Sequence, residues 1–462
     1  MREISTIPIE AQKVDKRAIS PRYAVIAASE IAFVFNQSIS ASVNVTIEIF
    51  VAIPRIMCII FEMRYRSTKS AKVFRGQVLT PERLAARLAE SITVPGGDWL
   101  ELGVGSGRLL EACVASHAID RYVAIELDHR LAAKCVTLGP TELHFANVLH
   151  PDALDAVLGD RRFSCTVGNP PFGVGAVSKA AQARLKALYP QVTQINAWAR
   201  FDLYFLLESL ARLKRPGEAA FIVAAPIVQD PALATFRQTL IDSASEIECH
   251  ELPADTFDKR AEVQSFLLIA RFGQTRGANV TLGRLVGTDF EQTVSRRVSR
   301  NEAIHRMDLA HHEFQDFTRA LARRTGFTTL EELGARIVRG SRSRHQFEDL
   351  GIAHFHTSDF PQTRGEIAFG AEPLGAFQTA EAGNILVPRV GTRCIDRAAF
   401  VAKGRRAFTE AVYRVVVPQQ TRVSVFDWIS SEEGKAWRRS AAHGSCAKHL
   451  TVSSLMAMPV PA

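Results

Sequence analysis

The stretch DWLELGVGSGRLLEAC, residues 98–113, decides the fold of this chain. Its first five residues are mostly apolar and predict a short buried strand, and its last six predict the start of a helix. Between them lies a turn with Gly103, Gly105 and Gly107, and glycines allow a ligand to approach the backbone closely. The order strand, glycine turn, helix is typical of a Rossmann-like, doubly wound α/β fold.

An acidic residue stands where such a fold binds ribose. The apolar run 122–125 predicts a second strand, and Glu126 follows it at the spacing that suits a carboxylate accepting from ribose hydroxyls. Glu101, at the end of the first strand, is a further candidate cofactor-binding residue with the three glycines of the turn. The glycine turn alone fits S-adenosylmethionine and a dinucleotide about equally well.

A second motif, Asn169-Pro170-Pro171-Phe172, restricts the chemistry further. Two prolines make a stiff, extended turn, and the preceding run 163–168 predicts a buried strand that places this turn at a carboxyl sheet edge. The Asn169 side-chain oxygen and the Pro170 carbonyl can each accept a hydrogen from an NH₂ group, which would make that nitrogen more nucleophilic. Phe172 offers a face on which a nucleobase can stack.

Together these motifs resemble the DNA methyltransferases that methylate exocyclic amines, in the group that modifies the N6 amine of adenine. The resemblance covers roughly residues 70–272 and implies S-adenosyl-L-methionine as the cofactor. It also implies that Asn169, Pro170, Pro171 and Phe172 form the catalytic turn, with Asn169 also beside the cofactor. Cytosine stays open as the target, because its exocyclic amine suits the same acceptors.

Three further positions follow from the resemblance, each with a structural alternative. Thr80 resembles the residue that lies against the methionine end of the cofactor, but it also suits a helix cap before Pro81. Asn147 stands where the family usually has an aspartate against the cofactor adenine, and the alternative is that it only ends a strand. Phe257 is a candidate second wall of the base pocket, or a core phenylalanine.

The segment from residue 325 onward resembles one target-recognition domain of the type I restriction specificity subunits. Loose motifs at 329–341, 384–392 and 444–451 occur in that family's order. The resemblance implies that Arg339, Arg389 and Lys448 contact duplex DNA, while a solvated surface charge is the alternative for each.

Composition agrees with a soluble, cytoplasmic protein that binds a polyanion. The formal net charge is +8, the isoelectric point is near 9.2, and arginine outnumbers lysine. Guanidinium groups bind phosphates and base edges in a forked manner, although a solvated basic surface is the alternative. The seven cysteines show no paired spacing and predict reduced core residues without zinc, and the adjacent His311 and His312 do not predict a metal site.

The sequence predicts four segments: an N-terminal extension at 1–70, an S-adenosylmethionine-dependent methyltransferase domain at 71–290, a helical linker at 291–324 and a recognition domain at 325–462. Within the extension, residues 45–61 are apolar, but Glu48, Pro54 and Arg55 interrupt them, so no membrane span is expected.

Two other functional interpretations remain open at this stage. Similar Asn-Pro-Pro-aromatic turns also present the amines of ribosomal RNA and of protein glutamine, and the asparagine at 147 leaves room for a non-catalytic DNA-binding subunit. The chain shows no motif of paired carboxylates and lysine for cutting DNA, so a restriction endonuclease would be a separate partner subunit.

Overall fold

A computed structural model describes residues 78–462, except 134, 192–197, 258–263, 276, 363–364, 372–376, 392 and 443–447. The described residues belong to one compact unit. The predicted N-terminal extension and residues 71–77 lie outside the described residues.

A nine-stranded sheet occupies the first part of the described chain. Its strands are β1 Gly97–Leu102, β2 Ile119–Glu126, β3 Thr141–Phe145, β4 Phe163–Gly168, β7 Leu213–Ala224, β8 Glu246–Glu251, β9 Ser265–Phe272, β10 Asn279–Val286 and β11 Glu291–Val298. They follow the order β11-β10-β8-β9-β7-β4-β1-β2-β3. The five strands from β7 to β3 are parallel neighbours, and β9 is antiparallel to both β7 and β8.

Helices lie between most strands of this part up to β8, whereas β8, β9, β10 and β11 follow one another without a helix among the described residues. The helices are α1 Glu82–Glu90, α2 Arg108–Ser116, α3 Pro151–Leu158, α4 Lys179–Leu188, α5 Phe201–Ala211, α6 Ala225–Gln229, α7 Ala234–Ser243, α8 Arg300–His305 and α9 Leu309–Ala322. A small antiparallel pair, β5 Val174–Ala176 and β6 Trp198–Arg200, follows the Asn169 turn. The predicted Rossmann-like α/β class is therefore confirmed.

Both faces of the sheet are covered, because successive side chains of a strand point to opposite faces. In β1, Trp99 is fully buried in the layer that contains α1 and α2. Its neighbour Leu100 is buried in the opposite layer, which contains α5 and α7. The strands β1 and β4 are thus fixed from two sides.

The strand order of the sheet brings the two motifs together. After β1, the chain builds β2 and β3 on one side and then crosses to β4 on the other. In open α/β sheets, ligands bind outside the carboxyl ends of the strands at this reversal. The glycine turn follows β1 and the Asn169 turn follows β4, so both turns lie at this position.

The C-terminal part contains a mixed sheet. Its strands and helices are β12 Phe327–Thr329, β13 Arg336–Arg339, α10 Arg344–Asp349, β14 His354–Phe355, β15 Gly365–Ala371, β16 Thr379–Glu381, β17 Ile385–Pro388, β18 Ala399–Phe408, β19 Val412–Val416, α11 Arg422–Ser430, α12 Glu432–Ala441, α13 Val452–Met456 and β20 Pro459–Pro461. Strands pair in the order β13-β19-β17-β18-β14, β15 and β16 also pair with β18, and β12 pairs with β20.

The helix α9 connects the two sheets. Its backbone begins with Ala310 N donating to the Glu251 carboxylate of β8 at 2.6 Å. At its other end, Thr318 accepts a hydrogen bond from the Trp437 ring of α12 at 3.0 Å. The segment predicted as a helical linker, 291–324, contains α8 and α9, but its first residues form β11 of the large sheet.

Across the described part of the chain, every helix is too short or too polar to cross a bilayer.

Candidate active site

The glycine turn has a backbone conformation that side chains would disturb. Gly103, Gly105 and Gly107 have φ angles of 80°, 59° and 81°, which lie in the left-handed region that favours glycine. A Cβ atom at Gly103 would lie 3.2 Å from the Phe205 ring, and one at Gly107 would lie 2.7 Å from the Cys135 sulfur. The turn is anchored because Gly103 N donates to Ile125 O of β2 at 2.8 Å.

Glu126 organises the turn from the adjacent strand. One carboxylate oxygen accepts from Gly105 N at 2.8 Å, and the other accepts from Leu127 N at 2.8 Å and Asp128 N at 3.0 Å. The sequence analysis expected Glu126 to bind ribose. Oε1 accepts two hydrogen bonds and Oε2 accepts one, so Oε2 keeps a lone pair for a further donor. Glu126 thus supports the turn, and its ribose contact stays a prediction.

Glu101 is a buried carboxyl group at the end of β1. Its exposed fraction is 1%, and Tyr122 donates its hydroxyl hydrogen to Oε2 at 2.6 Å. Burial raises the pKa of Glu101 to about 8, the Tyr122 hydrogen bond opposes the shift, and the nearby Glu126 adds to it. The side chain is therefore mostly protonated at neutral pH.

Asn169 has its amide oriented by two acceptors. Nδ2 donates to the Val78 carbonyl at 3.0 Å and to Thr80 Oγ1 at 3.0 Å. A carbonyl can only accept, so the atom that faces Val78 must be the nitrogen. The other atom, Oδ1, is buried, and no donor among the described residues reaches it.

A pocket lies between the two turns. It is lined by Val78, Leu79, Thr80, Glu101, Gly103, Val104, Gly105, Ser106, Arg108, Leu109 and Asn169. Five residues predicted from the sequence as cofactor-binding therefore meet at one place: Thr80, Glu101, Gly103, Gly105 and Asn169. Among the buried side-chain atoms that have no partner in the described part of the chain, Asn169 Oδ1 is the one that belongs to this pocket lining.

The two predicted aromatic walls lie next to each other. The Phe172 and Phe257 rings are 5.9 Å apart at 84°, an edge-to-face contact. Both side chains are partly buried and pack against the core layer of α1 and α2. In the same turn Pro170 is buried, whereas Pro171 is partly exposed.

The structure shows contacts that bear on the structural alternatives for Thr80 and Asn147. Thr80 does not cap α1 with its side chain, because the N-cap position is Pro81 and no side-chain cap is present there. Asn147 Oδ1 accepts from Leu149 N at 3.0 Å, which corresponds to the expected structural alternative at a strand end. The cofactor contact of Asn147 stays a prediction.

Several residues at the same sheet edge were not predicted as site residues from the sequence. Leu127, directly after Glu126, is 49% exposed although it is apolar. Phe145 at the end of β3 is also exposed, and its ring stacks on His129 with the centroids 3.9 Å apart. The sequence offered one signal for them: Leu127 directly follows Glu126, and Phe145 lies two residues before Asn147. The Val78 carbonyl carries no such signal.

The predicted DNA-contact residues lie on the C-terminal part. Arg339 is exposed and forms an ion pair with Glu410 at 2.9 Å. Arg389 is partly buried and donates to the backbone carbonyl of Glu410 at 2.6 Å. Burial and the charge of Arg339 lower the pKa of Arg389. The two arginines therefore contact the same glutamate, Arg339 at its carboxylate and Arg389 at its backbone carbonyl.

Lys448 is close to this pair through the backbone only. Lys448 O accepts from Gly391 N at 3.0 Å, two residues after Arg389, and Lys448 lines a separate cleft beside α9. That cleft also contains Arg284, Arg306, His311 and Arg439. The structure thus unites two of the three predicted contact residues and places the third on a neighbouring surface.

Within the described ranges, no group of three or more His, Cys, Asp or Glu side chains is arranged to hold a metal ion. Cys113, Cys135, Cys165, Cys249 and Cys394 are buried free thiols, as the sequence predicted for core cysteines. Cys58 and Cys446 lie outside the described residues.

The strand order and the two turns define a Rossmann-like α/β fold with a candidate ligand site at its reversal point. No protein-family model matches the chain, and no curated protein matches it. Similar solved structures exist. The type IIG restriction endonuclease BpuSI is similar at 11% identity and a TM-score of 0.47, over 85% of this chain and 60% of that chain.

Two further solved structures come from type I systems. The methyltransferase subunit of the type I restriction-modification system of Streptococcus thermophilus is 17% identical, with a TM-score of 0.41 over 51% of this chain and 60% of that one. The M protein of the type I restriction enzyme EcoKI is 17% identical, with a TM-score of 0.37 over 46% and 51% of the two chains. This chain therefore spans three fifths or less of the length of these proteins.

Proposed function

We propose that this chain is an S-adenosylmethionine-dependent DNA methyltransferase that methylates the N6 amine of adenine, as part of a restriction-modification system. The observation that carries the proposal is the buried Asn169 Oδ1 beside the glycine turn, which has no donor within the described part of the chain. A buried acceptor without a donor costs about 1–3 kcal/mol. An incoming NH₂ group would supply the missing hydrogen bond.

The pocket residues suit the methyl donor. The glycine at 105 leaves space beside the turn for a ligand, and Glu126, which holds Gly105 N, would accept from ribose hydroxyls. The exposed Leu127 and Phe145 offer apolar surface at the same sheet edge for an adenine ring. S-adenosylmethionine would supply a methyl group on a sulfonium, which is already an excellent leaving group.

The residues of the Asn169 turn would act on the target base. Phe172 and Phe257 would hold the flipped base by stacking, which is worth roughly 1–3 kcal/mol per base. Asn169 Oδ1 and the Pro170 carbonyl would accept the two amine hydrogens and stabilise the positive charge that develops on nitrogen. The proton released from that nitrogen passes to solvent. The protein thus contributes mainly alignment and hydrogen bonding.

Duplex DNA as the substrate is supported by charge. The chain has a net charge of +8, and the exposed Arg339 lies with Arg389 on the C-terminal sheet. Arginine forks match phosphates and base edges. A nuclease subunit is proposed as a separate partner, consistent with the restriction-modification setting.

The experiment is a methyl-transfer assay with labelled S-adenosylmethionine and three substrates: mixed-sequence plasmid DNA, ribosomal RNA and a protein release factor. We expect label in DNA and, after digestion to nucleosides, N6-methyladenine. Asn169→Ala should lower kcat by about 10²–10³, the loss typical of one charge-stabilising contact. Calorimetry should show that this variant still binds S-adenosylmethionine.

Each other outcome has a defined meaning. Detection of N4-methylcytosine would show that the target base is cytosine and not adenine. Label in RNA or protein would show that this molecule, and not DNA, is the substrate. No binding of S-adenosylmethionine to the wild type would favour a non-catalytic DNA-binding subunit. Full activity of Asn169→Ala would overturn the assignment of the catalytic turn.

A further inference from the structure

We infer that Thr80 is a positioning residue that makes Asn169 an obligate hydrogen-bond acceptor, and that this selects an amine over a carbonyl on the target group. The inference rests on the proposed function and concerns the same site. It differs from the sequence expectation for Thr80, which was a contact with the cofactor.

The hydrogen-bond count of the amide supports this role. A side-chain amide has two N–H hydrogens and one carbonyl oxygen. Both hydrogens of Asn169 have acceptors, the Val78 carbonyl and Thr80 Oγ1, each at 3.0 Å. The donor capacity of Asn169 is therefore used up within the protein. What remains is Oδ1, which can only accept and has no donor among the described residues.

Thr80 is itself held in place. A residue before proline is restricted to extended backbone, and Pro81 follows it. Pro81 O accepts from Ala85 N at 3.0 Å, which ties this segment to the first turn of α1. The buried face of α1, with Leu84 and Leu88, packs in the same core layer as Leu109 of α2. The acceptor is thus fixed relative to the glycine turn.

Orientation explains selectivity. If the amide rotated by 180°, Oδ1 would face the Val78 carbonyl, where two acceptors oppose each other and no hydrogen bond forms. In the observed orientation a base amine can donate to Oδ1, whereas a base carbonyl would place two oxygens together. By fixing the orientation of the Asn169 amide, the contacts with Val78 and Thr80 therefore favour a target group that carries an amine over one that carries a carbonyl.

The test compares Thr80→Val with Thr80→Ser. Valine has nearly the same shape but no hydroxyl, whereas serine keeps it. We expect Thr80→Val to lower kcat by roughly three- to tenfold, as for one net hydrogen bond, because the Val78 carbonyl still holds the amide. Thr80→Ser should restore most of kcat. The Kd for S-adenosylmethionine, measured by calorimetry, should stay within about twofold in both variants.

A second readout does not depend on activity. Crystal structures of the wild type and Thr80→Val should show the Asn169 amide well ordered in the first, and displaced or less ordered in the second while it keeps its contact with the Val78 carbonyl. A Thr80→Val variant with wild-type kcat and a weakened Kd for S-adenosylmethionine would overturn the inference in favour of a cofactor contact. A wild type inactive on DNA, RNA and protein would instead overturn the proposed function.

Discussion

The two halves of the described chain use polar side chains in opposite ways. In the N-terminal half, residues from several elements converge on one pocket, and Asn169 Oδ1 in its lining is buried without a hydrogen-bond partner among the described residues. In the C-terminal half, the candidate contact residue Arg339 lies on the surface and already has a carboxylate partner. An unsatisfied acceptor in a pocket lining supports the proposed role of that pocket directly, whereas an arginine that already has a carboxylate partner needs a binding measurement to support a DNA contact.

Arginines within the C-terminal half show the same contrast. Arg438 is fully buried and donates to the backbone carbonyls of Ile395, Asp396, Arg397 and Ile429 at distances from 2.6 to 3.1 Å. Burial lowers its pKa to about 10. Its neighbour Arg439 is about half exposed and pairs with Asp396. A structural arginine and a surface arginine are thus adjacent in sequence.

The largest expected effect tests this difference. Arg438→Met should destabilise the protein by at least about 3 kcal/mol, because four carbonyls lose their buried donor and each unsatisfied buried group costs about 1–3 kcal/mol. Arg439→Met is the matched control and should cost less than about 1 kcal/mol, as for an exposed ion pair. Denaturant unfolding measures both. Equal stability of the two variants would contradict the structural role of Arg438.

The next effect concerns the aromatic wall. Phe172→Leu keeps apolar volume against the core but removes the flat ring, so kcat/KM on DNA should fall by roughly ten- to a hundredfold, following the stacking energy of 1–3 kcal/mol per base. The unfolding midpoint should change little. The edge-to-face neighbour Phe257 should show a smaller loss on the same substitution. Wild-type kcat/KM in Phe172→Leu would show that this ring only packs the core.

A third effect is the pH dependence of folding from Glu101. Its pKa is about 8 when folded and ordinarily 4.5, so the folded state binds the proton more tightly. This stabilisation is complete below about pH 4.5 and is lost as the pH rises through 8, with a slope of at most ~1.4 kcal/mol per pH unit.

The variant Glu101→Gln cannot titrate and keeps an acceptor for the Tyr122 hydroxyl. Its free energy of unfolding should therefore rise relative to the wild type between pH 5 and 8. Unfolding curves at four pH values in this interval measure the difference. If the free energies of unfolding of both proteins changed with pH in the same way, the Glu101 carboxyl would be charged in the folded state.

The smallest effect belongs to the surface pair. Arg339→Ala should weaken binding to plasmid DNA by about two- to fivefold and reduce the salt dependence by about one charge, without a change in stability. Arg324→Ala removes a comparable exposed ion pair, with Glu433, and should leave DNA binding unchanged. Glu410→Gln should not weaken binding, since it frees Arg339. Equal losses of DNA binding in Arg339→Ala and Arg324→Ala would indicate that Arg339 contributes only its positive charge and no localised contact with DNA.

The fold of the N-terminal half was predictable from the sequence because its motifs are local. Glycines with left-handed backbone and an Asn-Pro-Pro turn restrict the chain by themselves, and strands before each turn fix their place on the sheet. The class of the fold followed from one strand, turn and helix. The predicted residues Thr80, Glu101, Gly103, Gly105 and Asn169 then met at one pocket.

The contacts that complete the site could not be predicted in the same way. Thr80 and Asn169 are 89 positions apart, and the Val78 contribution is a backbone carbonyl that any residue could provide. The partnership of Arg339 with Glu410 spans 71 positions. Such pairings depend on how helices and strands pack, and the sequence has no local pattern for them.

The most direct measurement is a crystal structure with S-adenosylhomocysteine bound. The proposed function predicts the ligand between the glycine turn and Asn169, with its ribose at Glu126, its adenine over Leu127 and its sulfur turned toward Asn169 Oδ1. A ligand bound elsewhere, or a protein donor closing on Asn169 Oδ1 in that structure, would contradict it.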